Sequence, residues 1–271
     1  MSYIGETSLI LKHNQQSSMR SRILILQFRT NRASIEHEQQ CFVREAGIYT
    51  DTDFLDALDT SIDFNVPESI MNGYCGVILG GSGDLDFDGG RKNDDSVRAL
   101  SFGLLERLRP FFAYLFENDI PTLGICYGHQ MVGAFAGALV HFDERQTKSR
   151  THELKIVVSK TDHFIFSDLP NTFYAQYNHK DVLAHIPQGA TLLMSGGESC
   201  QVSALQYKKN IYTVQFHPEL NRRDMIQRIK SSTGYHVEGV ILEEIFRDEP
   251  DSNRILRNFS KFVAMQEAKK K

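Results

Sequence analysis

The chain has 271 residues, of which 41% are hydrophobic and 24% charged, and its formal net charge is −4. This is the balance of an ordinary globular chain able to bury a substantial core, and its charge argues for neither nucleic acid nor an anionic membrane as partner. No apolar run reaches the roughly 18 residues of a membrane span, and the four dispersed cysteines, Cys41, Cys75, Cys126 and Cys200, show no disulfide framework or metal-ligand spacing and suit a reducing cytoplasm.

Residues 1–20 are polar and irregular and lack the apolar centre of a secretory signal, so they read as a flexible leader, with 21–271 as a single domain. Met19 offers a second start just ahead of the first strand, Ile23 to Phe28. A polar-faced helix follows at 34–46, then a short buried strand, Gly76 to Leu79, that empties into a glycine loop. Leu104, Leu108, Phe111, Phe112, Leu115 and Phe116 recur at helical spacing, and Pro110 is expected to break or kink that helix. The apolar run Ile120 to Ile125 leads through a sharp turn into a small-residue helix ending near Ala138. Glu153 to Ser159, Thr172 to Tyr177, Gln201 to Tyr207 and Ile211 to Phe216 read as further strands, with Ser195 to Ser199 as a turn because no helix pattern follows it. Ile255, Leu256, Phe259, Phe262 and Val263 mark a C-terminal amphipathic helix whose Lys269-Lys270-Lys271 end reads as solvated charge. This alternation predicts an α/β fold, a doubly wound and mostly parallel central sheet flanked by helices.

Chemistry concentrates in Gly124-Ile125-Cys126-Tyr127-Gly128-His129-Gln130. A cysteine on a tight strand-to-helix turn between two glycines is presented to solvent, and the helix N-terminus favours its thiolate. A free cysteine is more often a core residue, but core packing does not explain the glycines at these offsets. The run Ile211 to Glu219 reads as a strand ending at His217, and in extended backbone His217 and Glu219 share a face. A lone histidine there is more often a satisfied structural residue. Next to Glu219 and a cysteine elbow it becomes a general base, oriented by the carboxylate through one ring nitrogen. The amide of Tyr127 is one candidate oxyanion donor and that of Gly81 the second. The loop Gly81-Ser82-Gly83-Asp84-Leu85-Asp86 lacks the third glycine of a dinucleotide fingerprint and the lysine of a Walker motif. Asp84, Asp86 and Asp88 read as a solvated acidic loop rather than a metal site.

Gly80-Gly81-Ser82-Gly83-Asp84, the cysteine elbow and Gln215-Phe216-His217-Pro218-Glu219, in this order and spacing, resemble the class I, or triad, glutamine amidotransferases over roughly residues 22–232. The resemblance implies that Cys126 is the nucleophile, His217 the base and acid, and Glu219 the orienting carboxylate. It implies that Gly81 and Gly83 meet the substrate and its oxyanion, that Gln130 contacts substrate, and that Asn178, in Tyr174 to Val182, reads its α-amino and α-carboxylate groups. His179 is carried as a substrate-binding candidate whose role is open. Lys180 stands where several members have glycine, and Tyr127 replaces a smaller residue that borders the entrance.

The resemblance, closest to free-standing relatives of the GMP synthetase amidotransferase domain, implies hydrolysis of the glutamine side-chain amide to glutamate and ammonia through a γ-glutamyl thioester. No cofactor and no metal are needed. Nothing in the chain resembles a synthetase domain, so ammonia is expected to pass to a separate synthase. Two alternatives stay open: a γ-glutamyl hydrolase acting on a peptide or conjugate, and a catalytically quiet regulatory module.

Overall fold

The computed structural model describes residues 20–231 and 239–269. The expected leader, apart from Arg20, lies outside the described residues, as do Met19, Lys270 and Lys271. In chain order the elements are β1 (Arg22–Gln27), α1 (Arg32–Ala46), β2 (Asp51–Asp56), α2 (Pro67–Ile70), β3 (Gly76–Leu79), α3 (Ser96–Glu117), β4 (Thr122–Ile125) and α4 (Tyr127–Phe135). They continue with β5 (Val140–Phe142), β6 (Lys148–Ile156), β7 (Thr172–His179), β8 (Asp181–Leu183), β9 (Thr191–Ser195), β10 (Ala204–Gln206) and β11 (Ile211–Val214). Three helices close the series: α5 (Arg222–Ser231), α6 (Leu242–Ile245) and α7 (Asp251–Ala268).

Nine strands form one sheet in the order β2-β1-β3-β4-β11-β10-β9-β6-β7, and β5 pairs β8 in a small second sheet. From β2 to β11 the neighbours are parallel; β10, β9, β6 and β7 extend the sheet antiparallel. The double winding can be read from β1. Ile23 and Ile25 join a core with Phe42 of α1 and with Ile255, Leu256 and Phe259 of α7. Leu24 and Leu26 face the opposite core, with Leu104, Leu108, Phe111 and Phe112 of α3 and Met131 of α4. Because both faces are covered, the parallel strands read as unbroken apolar runs rather than as alternation.

Helix α3 runs through Pro110 without ending, contrary to the expected break or kink. Its buried face, Leu104, Leu105, Leu108, Phe111, Phe112 and Leu115, lies against the sheet on both sides of the proline, and that burial outweighs one lost backbone bond. Asp95 caps its start by accepting from the Val97 amide at 2.8 Å. Strand β2, Asp-Thr-Asp-Phe-Leu-Asp, escapes sequence reading because it is a half-exposed edge whose aspartates dilute any strand pattern. Residues 195–199 turn as expected, with a single 3-10 turn at Gly197–Ser199.

Register places the site. Leu79 of β3 lies opposite Gly124 of β4, and Ile125 of β4 opposite Val214 of β11. The three loops that begin at Gly80, Cys126 and Gln215 therefore leave the same carboxyl edge of the sheet side by side, where open α/β sheets hold their ligands.

Candidate active site

Cys126 caps the N-terminus of α4 with φ +51° and ψ −100°, a conformation that L side chains rarely adopt. Strain of this kind costs about 1–3 kcal/mol and persists where the surroundings over-determine the backbone. Here the Cys126 amide donates to the Val214 carbonyl at 2.8 Å, and the Gly128 amide donates to Gly80 at 3.1 Å, locking the turn to both neighbouring strands. A Cβ on Gly128 would stand 2.4 Å from the Leu79 carbonyl oxygen, and one on Gly124 would stand 2.8 Å from that of Gly128. Only glycine fits at either place.

The thiol is not presented to solvent as the elbow reading expects: Cys126 is 3% exposed. Its Sγ lies 3.7 Å from the Asn178 carbonyl and 3.7 Å from Gln215 Nε2, so β7 and the chain after β11 close over the elbow.

His217 and Glu219 meet, but by another route than a shared strand face. Strand β11 ends at Val214, and a turn closed by the Leu220 amide on the His217 carbonyl at 3.3 Å carries Pro218 and Glu219. Across it His217 Nδ1 donates to Glu219 Oε1 at 2.8 Å, with both side chains buried. The same Oε1 accepts from Arg228 Nη1 of α5 at 2.9 Å. The imidazole and the cysteine flank one glycine: a Cβ on Gly81 would lie 3.0 Å from His217 Cε1 and 3.6 Å from Cys126 Cβ.

Burial disfavours a charged imidazole, yet the Glu219 carboxylate and the facing Cys126 outweigh it and raise His217 to about 9. Burial likewise opposes ionisation of Glu219, and the charge and hydrogen bond of His217, with Arg228 behind, bring the carboxyl down to about 2. Histidinium and carboxylate thus coexist in the buried site at neutral pH.

Between these groups and the surface lies a cavity whose lining includes Arg29, Ser82, Gly83, Asp84, Asn178, His217 and Arg228. Asn178 is 7% exposed and its Oδ1 has no hydrogen-bond partner, which leaves it an acceptor for a ligand. Arg29 is held by Glu38 of α1, Nε to Oε1 at 2.7 Å, and Gln27 donates to the other carboxylate oxygen at 2.9 Å. Sequence reasoning missed Arg29, Glu38 and Arg228. Arg29 had a positional signal, two residues beyond β1 at the ligand edge; Arg228 had none.

The model of the family described as glutamine amidotransferase class-I matches residues 93–232. The chain belongs to the class I glutamine amidotransferases. It is 38% identical over 117 residues to a subunit of the glutamine-hydrolyzing GMP synthase of Methanocaldococcus jannaschii, covering 43% of this chain and 60% of the relative. It is 34% identical over 116 residues to the glutamine-hydrolyzing GMP synthase of Caldicellulosiruptor saccharolyticus, covering 42% and 22%. The matched stretch thus spans about a fifth to three fifths of these relatives' length. Among solved structures, the fold is similar to that of a GMP synthase subunit from Thermoplasma acidophilum, with a TM-score of 0.63 at 21% identity over 93% of this chain and 98% of that one. A glutamine amidotransferase from Thermotoga maritima matches with a TM-score of 0.64 at 18% identity over 90% and 98%.

In this amidotransferase the other motif residues divide by position. Gly83 and Asn178 line the cavity; Gln130 and His179 are not among its lining residues. Gln130 Nε2 donates to the Asp181 carbonyl at 2.8 Å, bracing the β7–β8 turn behind the site. His179 Nε2 pairs with the Gln146 carbonyl at 3.0 Å, and burial pushes the ring down to about 3, so it is neutral. The Tyr127 ring does not narrow the entrance. It is buried in the α3–α4 core, stacked on Phe87 at 5.6 Å and edge-on to Phe28 at 5.4 Å. The positive-φ residues other than glycine are Asp119 and Cys126 among the described residues, so Lys180 needs no glycine-like backbone.

Asp84 accepts from the Thr30 amide, Asp86 pairs with Arg91, and Asp88 with Arg98. His37, Cys41 and Asp224 bring three ligand-type atoms within 4.8 Å of one another. That cluster is accounted for without an ion. Asp224 is held by Arg44 at 2.7 Å, and burial raises the Cys41 thiol to about 12, against the thiolate a metal requires. Among the described residues no helix is long and apolar enough to cross a membrane.

Proposed function

We infer that the chain hydrolyses the side-chain amide of glutamine through Cys126, His217 and Glu219. The observation that carries this reading is the convergence, on the backbone of Gly81, of a strained cysteine at a helix N-terminus and an imidazole already paired to a buried carboxylate. The Cys126 thiolate attacks the side-chain carbonyl carbon, forming a C–S bond. Two amides receive the oxyanion: that of Tyr127, a first-turn amide with no intrahelical acceptor, and that of Gly81. His217, protonated at rest, gives its proton to the departing ammonia as the C–N bond breaks. Water, deprotonated by the now neutral His217, attacks the thioester and releases glutamate, and the thiolate–imidazolium pair is restored. Glu219 holds the ring by Nδ1 throughout. Gly83 and Asn178 in the cavity wall are the contacts for the α-amino and α-carboxylate groups. No step calls on a cofactor.

Ammonia passes to a separate synthase in a cytoplasmic setting. What supports this is the similarity to proteins named as one subunit of a glutamine-hydrolyzing GMP synthase, together with the share of their length that the chain spans.

The deciding experiment is product analysis with glutamine and with γ-glutamyl dipeptides, alongside labelling of Cys126 by an electrophilic glutamine analogue. Release of glutamate and ammonia from glutamine is expected. Preference for the dipeptides transfers the assignment to γ-glutamyl hydrolysis, and no labelling with every candidate partner present makes the chain a quiet module. Co-purification from native extract tests for the synthase.

A further inference from the structure

Arg228 reaches the catalytic turn from α5, outside every motif that marks the site. Its Nη1 and His217 Nδ1 donate to one oxygen of Glu219, at 2.9 and 2.8 Å, while the other oxygen has no hydrogen-bond partner. Glu219 is fully buried and Arg228 is 6% exposed, so the contact is neither screened nor shared with solvent. A carboxylate held at one oxygen by His217 alone can turn about its Cγ–Cδ bond and draw away from the ring. The second donor removes that freedom. Burying an arginine whose Nε and Nη2 lack partners is costly, and ordinary packing does not explain it.

Resting on the triad reading of the site, we propose that Arg228 is a positioning residue that pins Glu219 Oε1 on His217 Nδ1 and so keeps the imidazolium facing Cys126. It acts through Glu219, not on the reacting atoms. Other charged or titratable groups face the pair. Cys126 and, from β7, His179 lie by His217, and Arg29 lies by Glu219 with its partner Glu38 and with Asp84 of the glycine loop. From α1, Cys41 faces Glu219, and Arg44 holds both its backbone carbonyl, at 2.9 Å, and Asp224 of α5. Among the described residues His217 and Arg228 alone bond the Glu219 carboxylate.

The test is the rate at which iodoacetamide alkylates Cys126 as a function of pH, followed by peptide mass, because this reports the relay without any substrate. Replacing Arg228 removes a positive charge and loosens the imidazolium, and both effects disfavour the thiolate. Arg228→Gln is therefore expected to move the alkylation midpoint to higher pH, and Arg228→Lys, which still places a charged donor, to keep it near wild type. In glutamine hydrolysis the Gln variant loses roughly a hundredfold in kcat with KM little changed. In a Glu219→Gln background the same substitution costs less than about threefold, since no carboxylate charge is left to pin. Arg228→Met, which keeps the apolar stem, is run beside it so that a folded variant carries the cycle. A folded variant with an unmoved midpoint, or equal losses in both backgrounds, overturns the proposal. If the wild type hydrolyses neither glutamine nor a γ-glutamyl dipeptide, the functional reading fails, and the alkylation profile still decides the role of Arg228.

Discussion

At the scale of single residues, the site depends on charges that the fold holds in an unusual state. Cys126→Ala removes the sulfur and leaves the backbone bonds of the turn in place; hydrolysis is expected to vanish while the urea midpoint stays near wild type, and near-normal turnover contradicts the nucleophile. His217 is raised to about 9 from an ordinary 6.5. The folded state therefore keeps a proton that the unfolded chain gives up, and this stabilisation is complete below about pH 6.5 and is lost as pH rises through 9. Glu219 is lowered to about 2 from 4.5, so its contribution is present above about pH 4.5 and lost as pH falls through 2. Urea midpoints of the wild type are expected to decline between pH 6.5 and 9, and His217→Asn should flatten that decline. In turnover, kcat/KM should fall through about pH 9 as the acid that protonates ammonia is lost. Cys126, His217 and Glu219 were legible because each stands in a short motif with its turn residues. Arg29 and Arg228 were not, because a lone arginine in a sequence says nothing of what it faces.

At the scale of elements, glycines let three strand ends close on one another. Gly128→Ala sets a methyl 2.4 Å from the backbone oxygen of Leu79, and backbone cannot step aside as a side chain can. The variant is expected to lose about 1–3 kcal/mol of stability, read as a lower urea midpoint, and to lose activity as the elbow shifts. Strand β11 shows where local pattern stops being informative. Ile211 to Phe216 alternates as strands do, but pairing ends at Val214 because the Gln215 amide turns to Ser203 and the His217 amide to Gln176. These partners are remote in sequence, so the turn that joins histidine to carboxylate could not be seen locally. Pro110 errs in the other direction: a strong local breaker is overridden by apolar burial on either side of it.

At the scale of the molecule, α7 links the C-terminal end of the chain to the site. Phe259 is fully buried against the sheet, and Asn253, one turn into α7, donates to the Pro218 carbonyl at 2.7 Å and to that of Leu220 at 3.3 Å. Phe259→Ala is expected to cost about 3–5 kcal/mol while leaving kcat per folded molecule unchanged. Asn253→Ala is expected to cost about 1–3 kcal/mol and also to lower kcat, because it frees the turn between His217 and Glu219. Equal kcat in the two variants would show that α7 has no hold on the site. The α/β class, the two covered faces of β1, the amphipathic C-terminal helix and the identities of the motif residues followed from the amino-acid order itself, because periodicity and turn chemistry act over a few residues. The exposure of Cys126, the direction of the Tyr127 ring, the retreat of Gln130 and His179 from the cavity and the arginine behind Glu219 were decided in tertiary structure. Each depends on which side chains from distant segments occupy the same few ångströms, and burial among them sets both orientation and charge.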